Sequence, residues 1–105
     1  MSYYLLDVYV PESHLEAVRN AVFEAGAGRI GNYDQCCWQT LGEGHFRPLA
    51  GANPHIGKIN VPETVREWKI ELICAEEFLE NVIAAVHAAH PYETPSFQYW
   101  EVKTK

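Results

Sequence analysis

Seven residues able to do chemistry crowd into two short stretches of this chain. His45, Arg47, Asn53 and His55 fall between Gly42 and Gly57, and His90, Tyr92 and Glu93 stand together near the C-terminal end. A neutral imidazole nitrogen beside a carboxylate, as in His90 and Glu93, is a mixed donor set that suits zinc or copper better than magnesium. Arg47 asks for the opposite, an anion, and unpaired glycine N–H groups in the same stretch would serve a phosphate. A functional pocket is therefore expected where the Gly42–Gly57 segment meets the His90–Glu93 turn, its occupant a small molecule, an anion or a divalent metal. The structural alternatives are a histidine that caps a helix end, a Glu93 that meets a backbone amide, and a hairpin arm that packs on a second subunit.

Other motifs are weaker. Gly26-Ala27-Gly28-Arg29-Ile30-Gly31 spells G-x-G-x-x-G, but a dinucleotide fingerprint must follow a strand and open a helix. Here it follows a helical pattern and reads as a cap and a tight loop. No G-K-[S/T] is present, which excludes a P-loop. Cys36 and Cys37 are adjacent; on a strand their side chains point to opposite faces and cannot readily share one zinc ion. No nucleophile–base set or H-E-x-x-H is visible by spacing, so no catalytic residue is assigned.

The elements that position these residues follow from periodicity. Tyr4, Leu6, Val8 and Val10 place large apolar or aromatic residues at every even position, with Asp7 among the odd ones, as a strand that Pro11 ends. Leu15, Val18, Ala21, Val22 and Ala25 then mark one face of a helix, with Gly26 where a left-handed cap belongs. The pattern returns 64 residues later: Trp68, Ile70, Leu72 and Cys74 form a strand face, and Leu79, Val82, Ala85, Val86 and Ala89 a helix face. Across Glu12–Ala25, seven of fourteen residues are identical at that offset, which reads as a β-α repeat. Cys36–Leu41 and Phe97–Val102 supply one further strand to each half. The expected fold is α+β: a ferredoxin-like βαββαβ sandwich, with helices at Glu12–Ala25 and Glu76–Ala89 on one face of a four-stranded antiparallel sheet. Leu6, Val8, Val18, Val22, Ile70, Leu72, Val82 and Val86 form its core. The other face, carrying Asp7, Tyr9, Lys69 and Tyr99, is expected to be wet or to pair with further copies.

Composition sets the outer limits. With 105 residues the chain is read as a single domain, 1–105. Eight basic against fourteen acidic residues give a net charge of −6, which disfavours a sequence-independent grip on nucleic acid. No apolar run spans a membrane, and polar residues interrupt the N-terminal strand too soon for a signal peptide. Three cysteines make no secreted disulfide framework, so a reducing cytoplasm is expected.

Four blocks then carry a resemblance: Gly26–Cys36, the run Gly42-x-Gly44-x-Phe46-Arg47-Pro48, the run Gly51-Ala52-Asn53-Pro54-x-Ile56-Gly57, and His90-Pro91-Tyr92-Glu93. In that order they resemble the insert domain of the YqfO-type, NIF-three-like proteins. The His90–Glu93 turn with Pro95 also looks like that of the copper-tolerance protein CutA. The resemblance implies the CutA/PII-like fold and assembly as a homo-oligomer, a trimer. It does not bring along the family's dinuclear metal site, whose ligands belong to flanking domains. It points to a non-enzymatic oligomeric binding or regulatory module with no certain cofactor. A CutA-like divalent-metal protein binding zinc or copper, and a small enzyme with an inter-subunit site, are the competing readings.

Overall fold

A computed structural model describes residues 2–104 of the chain. It contains four strands, β1 (Tyr3–Pro11), β2 (Trp38–Phe46), β3 (Glu63–Ala75) and β4 (Phe97–Val102), and two helices, α1 (Leu15–Ala25) and α2 (Leu79–Ala89). The strands form one antiparallel sheet in the order β2-β3-β1-β4. Element order and topology are those of the expected sandwich.

The 64-residue repeat is structural. Each half runs from a strand through one 3-10 turn, Glu12–His14 or Glu76–Phe78, into an α-helix of 11 residues. The expected helices thus begin as 3-10 turns and become α-helical at Leu15 and Leu79. The eight expected core residues are all buried, joined by Val10, Ala27, Cys74 and Leu79. Burial of even-numbered strand positions against the valine-rich helix faces is the main source of stability.

The halves part company at their ends. Gly26 leaves α1 in the left-handed conformation, φ 119°, its N–H on the Phe23 and Val22 carbonyls. His90, 64 residues on, leaves α2 extended at φ −76° and ψ 134°, because a residue before proline is pushed out of the α region. The G-x-G-x-x-G string is the first of these exits. Gly28, at φ 81°, donates its N–H to the Ile73 carbonyl and accepts the Cys36 N–H, both at 2.8 Å. A Cβ there would lie 2.7 Å from the Cys36 carbonyl oxygen.

Three expectations are corrected. First, the second strand is Trp38–Phe46, not Cys36–Leu41: the cysteines precede it, and it runs five residues into the segment expected to be irregular. Gly42 and Gly44 have poor β-propensity, but continuous pairing with β3, from Trp38↔Glu71 to Phe46↔Glu63, holds them extended. The far end of this hairpin passes the end of β1, which stops opposite Glu67, and the molecule measures 46 × 24 × 22 Å. Second, Pro11 is the last residue of β1 rather than the residue that stops it. Third, Tyr99 pairs with Leu6 and so lies on the helix side of the sheet; Trp100, opposite Leu5, takes the open side.

The open side also holds a residue that is not wet. Asp7 is only 8 % exposed, and its Oδ1 is buried with no hydrogen-bond partner among the described residues. Its Oδ2 lies 3.9 Å from Lys69 Nζ, which is equally far from Glu71 Oε2. Burial first, and then the Glu71 carboxylate, push the Asp7 carboxyl up from 3.8 to about 6 despite Lys69. The folded chain therefore binds a proton that the unfolded chain has released, and stability falls as pH rises from about 4 to 6. Asp7→Asn should stabilise the protein by about 2 kcal/mol at pH 7.5 and remove that slope. Urea unfolding of both proteins at pH 4.5 and 7.5 checks this; an unchanged or lower midpoint for the variant at pH 7.5 contradicts it.

Candidate functional site

A cavity of about 640 Å³ opens on the unhelical side of the sheet. Its floor is the pleat of three strands. The register puts Thr40, Lys69 and Tyr9 in one row and Gly42 beside Glu67 in the next, and all five line the cavity. One wall is the connection between β2 and β3, through Pro48, Ala52, Pro54, His55 and Ile56. The opposite wall is the turn after α2, through Tyr92, Glu93, Thr94 and Ser96. The cavity thus lies where the glycine-rich segment meets the His90–Glu93 turn.

Of the seven candidate residues, His45, His55, Tyr92 and Glu93 line this space; Arg47, Asn53 and His90 do not. Arg47 is exposed on the connection. Asn53 acts through its backbone, donating its N–H to Glu93 Oε2 at 2.8 Å, which ties one wall to the other. Glu93 does meet a backbone amide, as the structural alternative had it, while still facing the cavity.

His90 lies behind the wall, 6 % exposed. Its Nδ1 accepts the Tyr92 N–H at 3.2 Å, so that nitrogen carries the lone pair. Its Nε2 must then carry the proton and donates it to the Tyr9 carbonyl at 2.7 Å. Burial holds the imidazole below its ordinary pKa, outweighing the opposing bond to Tyr9. With both nitrogens engaged, His90 in this arrangement has no lone pair to offer a metal. It clamps the turn to β1. Among the described residues, no group of three or more His, Cys, Asp or Glu converges as a metal site.

Sequence reasoning missed Glu67, Lys69, Tyr9 and Phe46 as lining residues. Glu67 is the most informative. Its carboxylate occupies the place a side chain at Gly44 would take: a Cβ built there collides with Glu67 Oε1. Tyr92 Oη donates to Glu67 Oε2 at 3.1 Å. Burial, followed by the nearby Glu67 charge, raises the Tyr92 hydroxyl far above its usual pKa, so it stays a donor. Phe46 and His55 flank the Tyr92 ring at centroid distances of 6.1 and 6.2 Å. The one visible signal was glycine at alternate positions of a strand, which leaves room on one face for a large neighbour.

No family model matches the chain. Relatives are found by direct comparison. A GTP cyclohydrolase 1 type 2 homolog of Mycobacterium leprae is 48 % identical over 90 residues, 86 % of this chain and 23 % of that protein. The protein of the same name from Halalkalibacterium halodurans is 46 % identical over 99 residues, 94 % and 27 % respectively. Among solved structures, a Bacillus cereus protein related to NIF3 superposes with a TM-score of 0.84 at 35 % identity, covering 98 % of this chain and 26 % of that one. CutA from Archaeoglobus fulgidus, with a TM-score of 0.68 at 15 % identity over 98 % of this chain and 86 % of its own, shares the fold alone. The same holds for Bacillus subtilis GlnK, at 0.64 and 10 % over 97 % and 86 %. The chain spans about a quarter of the length of the curated relatives it matches. By sequence it is homologous to that stretch of the NIF3/YqfO-family proteins, and by fold it is a CutA/PII-like α+β sandwich.

Proposed function

We propose that this chain is a non-enzymatic binding or regulatory module that self-associates, as a trimer, and takes a small ligand in the cavity between the β2–β3 connection and the turn after α2. The observation that carries this reading is the cavity itself. Its volume is that of a small-molecule site, and hydrophobic and aromatic walls surround a few polar groups that are held in place. The relatives are named for GTP cyclohydrolase, but this chain spans only about a quarter of their length.

Self-association is supported by the open sheet face. Two helices cover one side only, and on the other Trp38 is 72 % and Trp100 44 % exposed. Aromatic surface of this kind on an uncovered sheet marks a contact site. No helix among the described residues is long and apolar enough to cross a membrane.

The test joins light scattering with a thermal-shift screen of small molecules on the wild type and on Ala52→Trp, which fills the cavity from its loop wall. The expected result is a mass of three chains and a set of compounds that raise the unfolding temperature of the wild type but not of the variant. A monomer with no such compounds overturns the reading. Zinc and copper(II) titrations in the same screen address the divalent-metal alternative: a stabilising metal, with no organic hit, would favour it.

A further inference from the structure

We infer that the occupant of this cavity is a small organic cation: an ammonium or amidinium group on a flat apolar body. The inference rests on the cavity being a binding site and goes on to name the chemistry it selects.

Two carboxylates on the cavity surface are fixed before any ligand arrives. Glu67 sits in the space left by the missing side chain of Gly44 and is held by the Tyr92 hydroxyl. Glu93, on the opposite wall, is held by the Asn53 N–H. Each bond uses one oxygen, Oε2 in both cases, and leaves the other for a ligand donor. A carboxylate positioned in advance costs a ligand less ordering than a free one.

Lys69, the one lysine or arginine among the described residues that lines the cavity, does not offset them. Lys69 Nζ lies between Asp7 Oδ2 and Glu71 Oε2, 3.9 Å from each, so its charge is answered within the sheet. Arg47, the residue that would have drawn an anion, is outside the lining. The rest of the lining mixes aromatic and aliphatic side chains such as Phe46 and Ile56 with uncharged threonine and serine hydroxyls, a third carboxylate, Glu43, and the imidazoles of His45 and His55. The Phe46 and Tyr92 rings stand 6.1 Å apart beside Glu67, and a cation is attracted to such ring faces as well as to the carboxylate. A net charge of −6 repels anions from the whole molecule and concentrates cations at it. An anionic ligand would meet the Glu67 and Glu93 carboxylates with no lysine or arginine of the lining left over, among the described residues, to offset them; an organic cation finds partners for both its charge and its body.

Three indoles of one shape separate the possibilities: tryptamine, a cation; tryptophol, neutral; and indole-3-acetate, an anion. Calorimetric titration at pH 7.5 should give binding in the order tryptamine, tryptophol, acetate, with the cation at least tenfold tighter than the anion. Glu67→Gln and Glu93→Gln keep the shape and the internal hydrogen bonds but remove the charge. Each should weaken tryptamine about tenfold and leave tryptophol unchanged. Glu93 is exposed, so its variant probes charge without disturbing packing. Equal or tighter binding of the acetate, or tryptamine binding that neither substitution alters, overturns the cation assignment while the cavity remains a binding site. If none of the three binds, or if Ala52→Trp binds all of them as the wild type does, the cavity reading itself fails.

Discussion

Leu6→Ala should lower the stability of this protein by about 3–4 kcal/mol, or the unfolding temperature by about 15 °C or more. Leu6 is the largest fully buried side chain together with Ile70. It lies on the central strand β1, paired with Leu72 on β3 and with Tyr99 on β4. Strands on both sides fix the backbone here, so the sheet has little freedom to close the void left by three lost carbons, and the cavity term is added to the lost burial. The adjacent Leu5 faces the open side and provides the control. Leu5→Ala should cost well under half as much in a monomeric reference state. Denaturant unfolding of the two variants measures the difference. Equal losses would mean that the alternation of faces along β1 is wrong.

That alternation is where the sequence was most informative. In the second half of β3, in both helices and in β1 apart from the buried Asp7, apolar spacing and packing demand agree, and the repeat gave each half a check on the other. The β2–β3 arm was less legible, because its pairing is non-local: Gly42 and Gly44 look like loop residues until β3 is laid beside them. For the same reason Glu67 and Lys69 read as solvated charge on a regular strand. What gives Glu67 a role is the absence of a side chain on Gly44, a residue 23 positions earlier, and the hydroxyl of Tyr92, 25 positions later. The place of the cavity was legible because irregular segments rich in His, Asn and Glu have few structural reasons for those side chains. The assignment of individual residues was not, since proximity in sequence does not show which of His90, Tyr92 and Glu93 turns inward.

His90→Ala should cost about 3 kcal/mol, nearly as much as a core leucine, although the residue is polar. Two hydrogen bonds are lost, to the Tyr92 N–H and the Tyr9 carbonyl. The Tyr9 carbonyl, facing a buried ring, is left unpaired, which is worse than the loss of an average hydrogen bond. The turn after α2 then loses its tie to β1, and with it the placement of Tyr92 on Glu67. The same clamp makes His90 a source of acid sensitivity. Burial lowers its pKa in the fold, so below about 6.5 the unfolded chain takes up a proton that the folded chain refuses. The unfolded state then binds more protons, and this contribution to stability is complete above that pH and declines as pH falls towards the folded-state value. The sign is opposite to that of Asp7, whose raised pKa makes stability fall between about pH 4 and 6 as pH rises. The wild type should therefore show two partly cancelling slopes, and single substitutions expose each in turn. Asp7→Asn leaves stability rising with pH through the histidine range; His90→Gln, which keeps a donor near the Tyr9 carbonyl and removes the titration, leaves it falling. Urea midpoints at half-unit pH steps from 4.5 to 7.5 read both, and NMR of the imidazole nitrogens in the wild type should find the proton on Nε2. A proton on Nδ1, or a His90→Ala variant within 1 kcal/mol of the wild type, would mean that the ring does not hold the turn and is free for another partner.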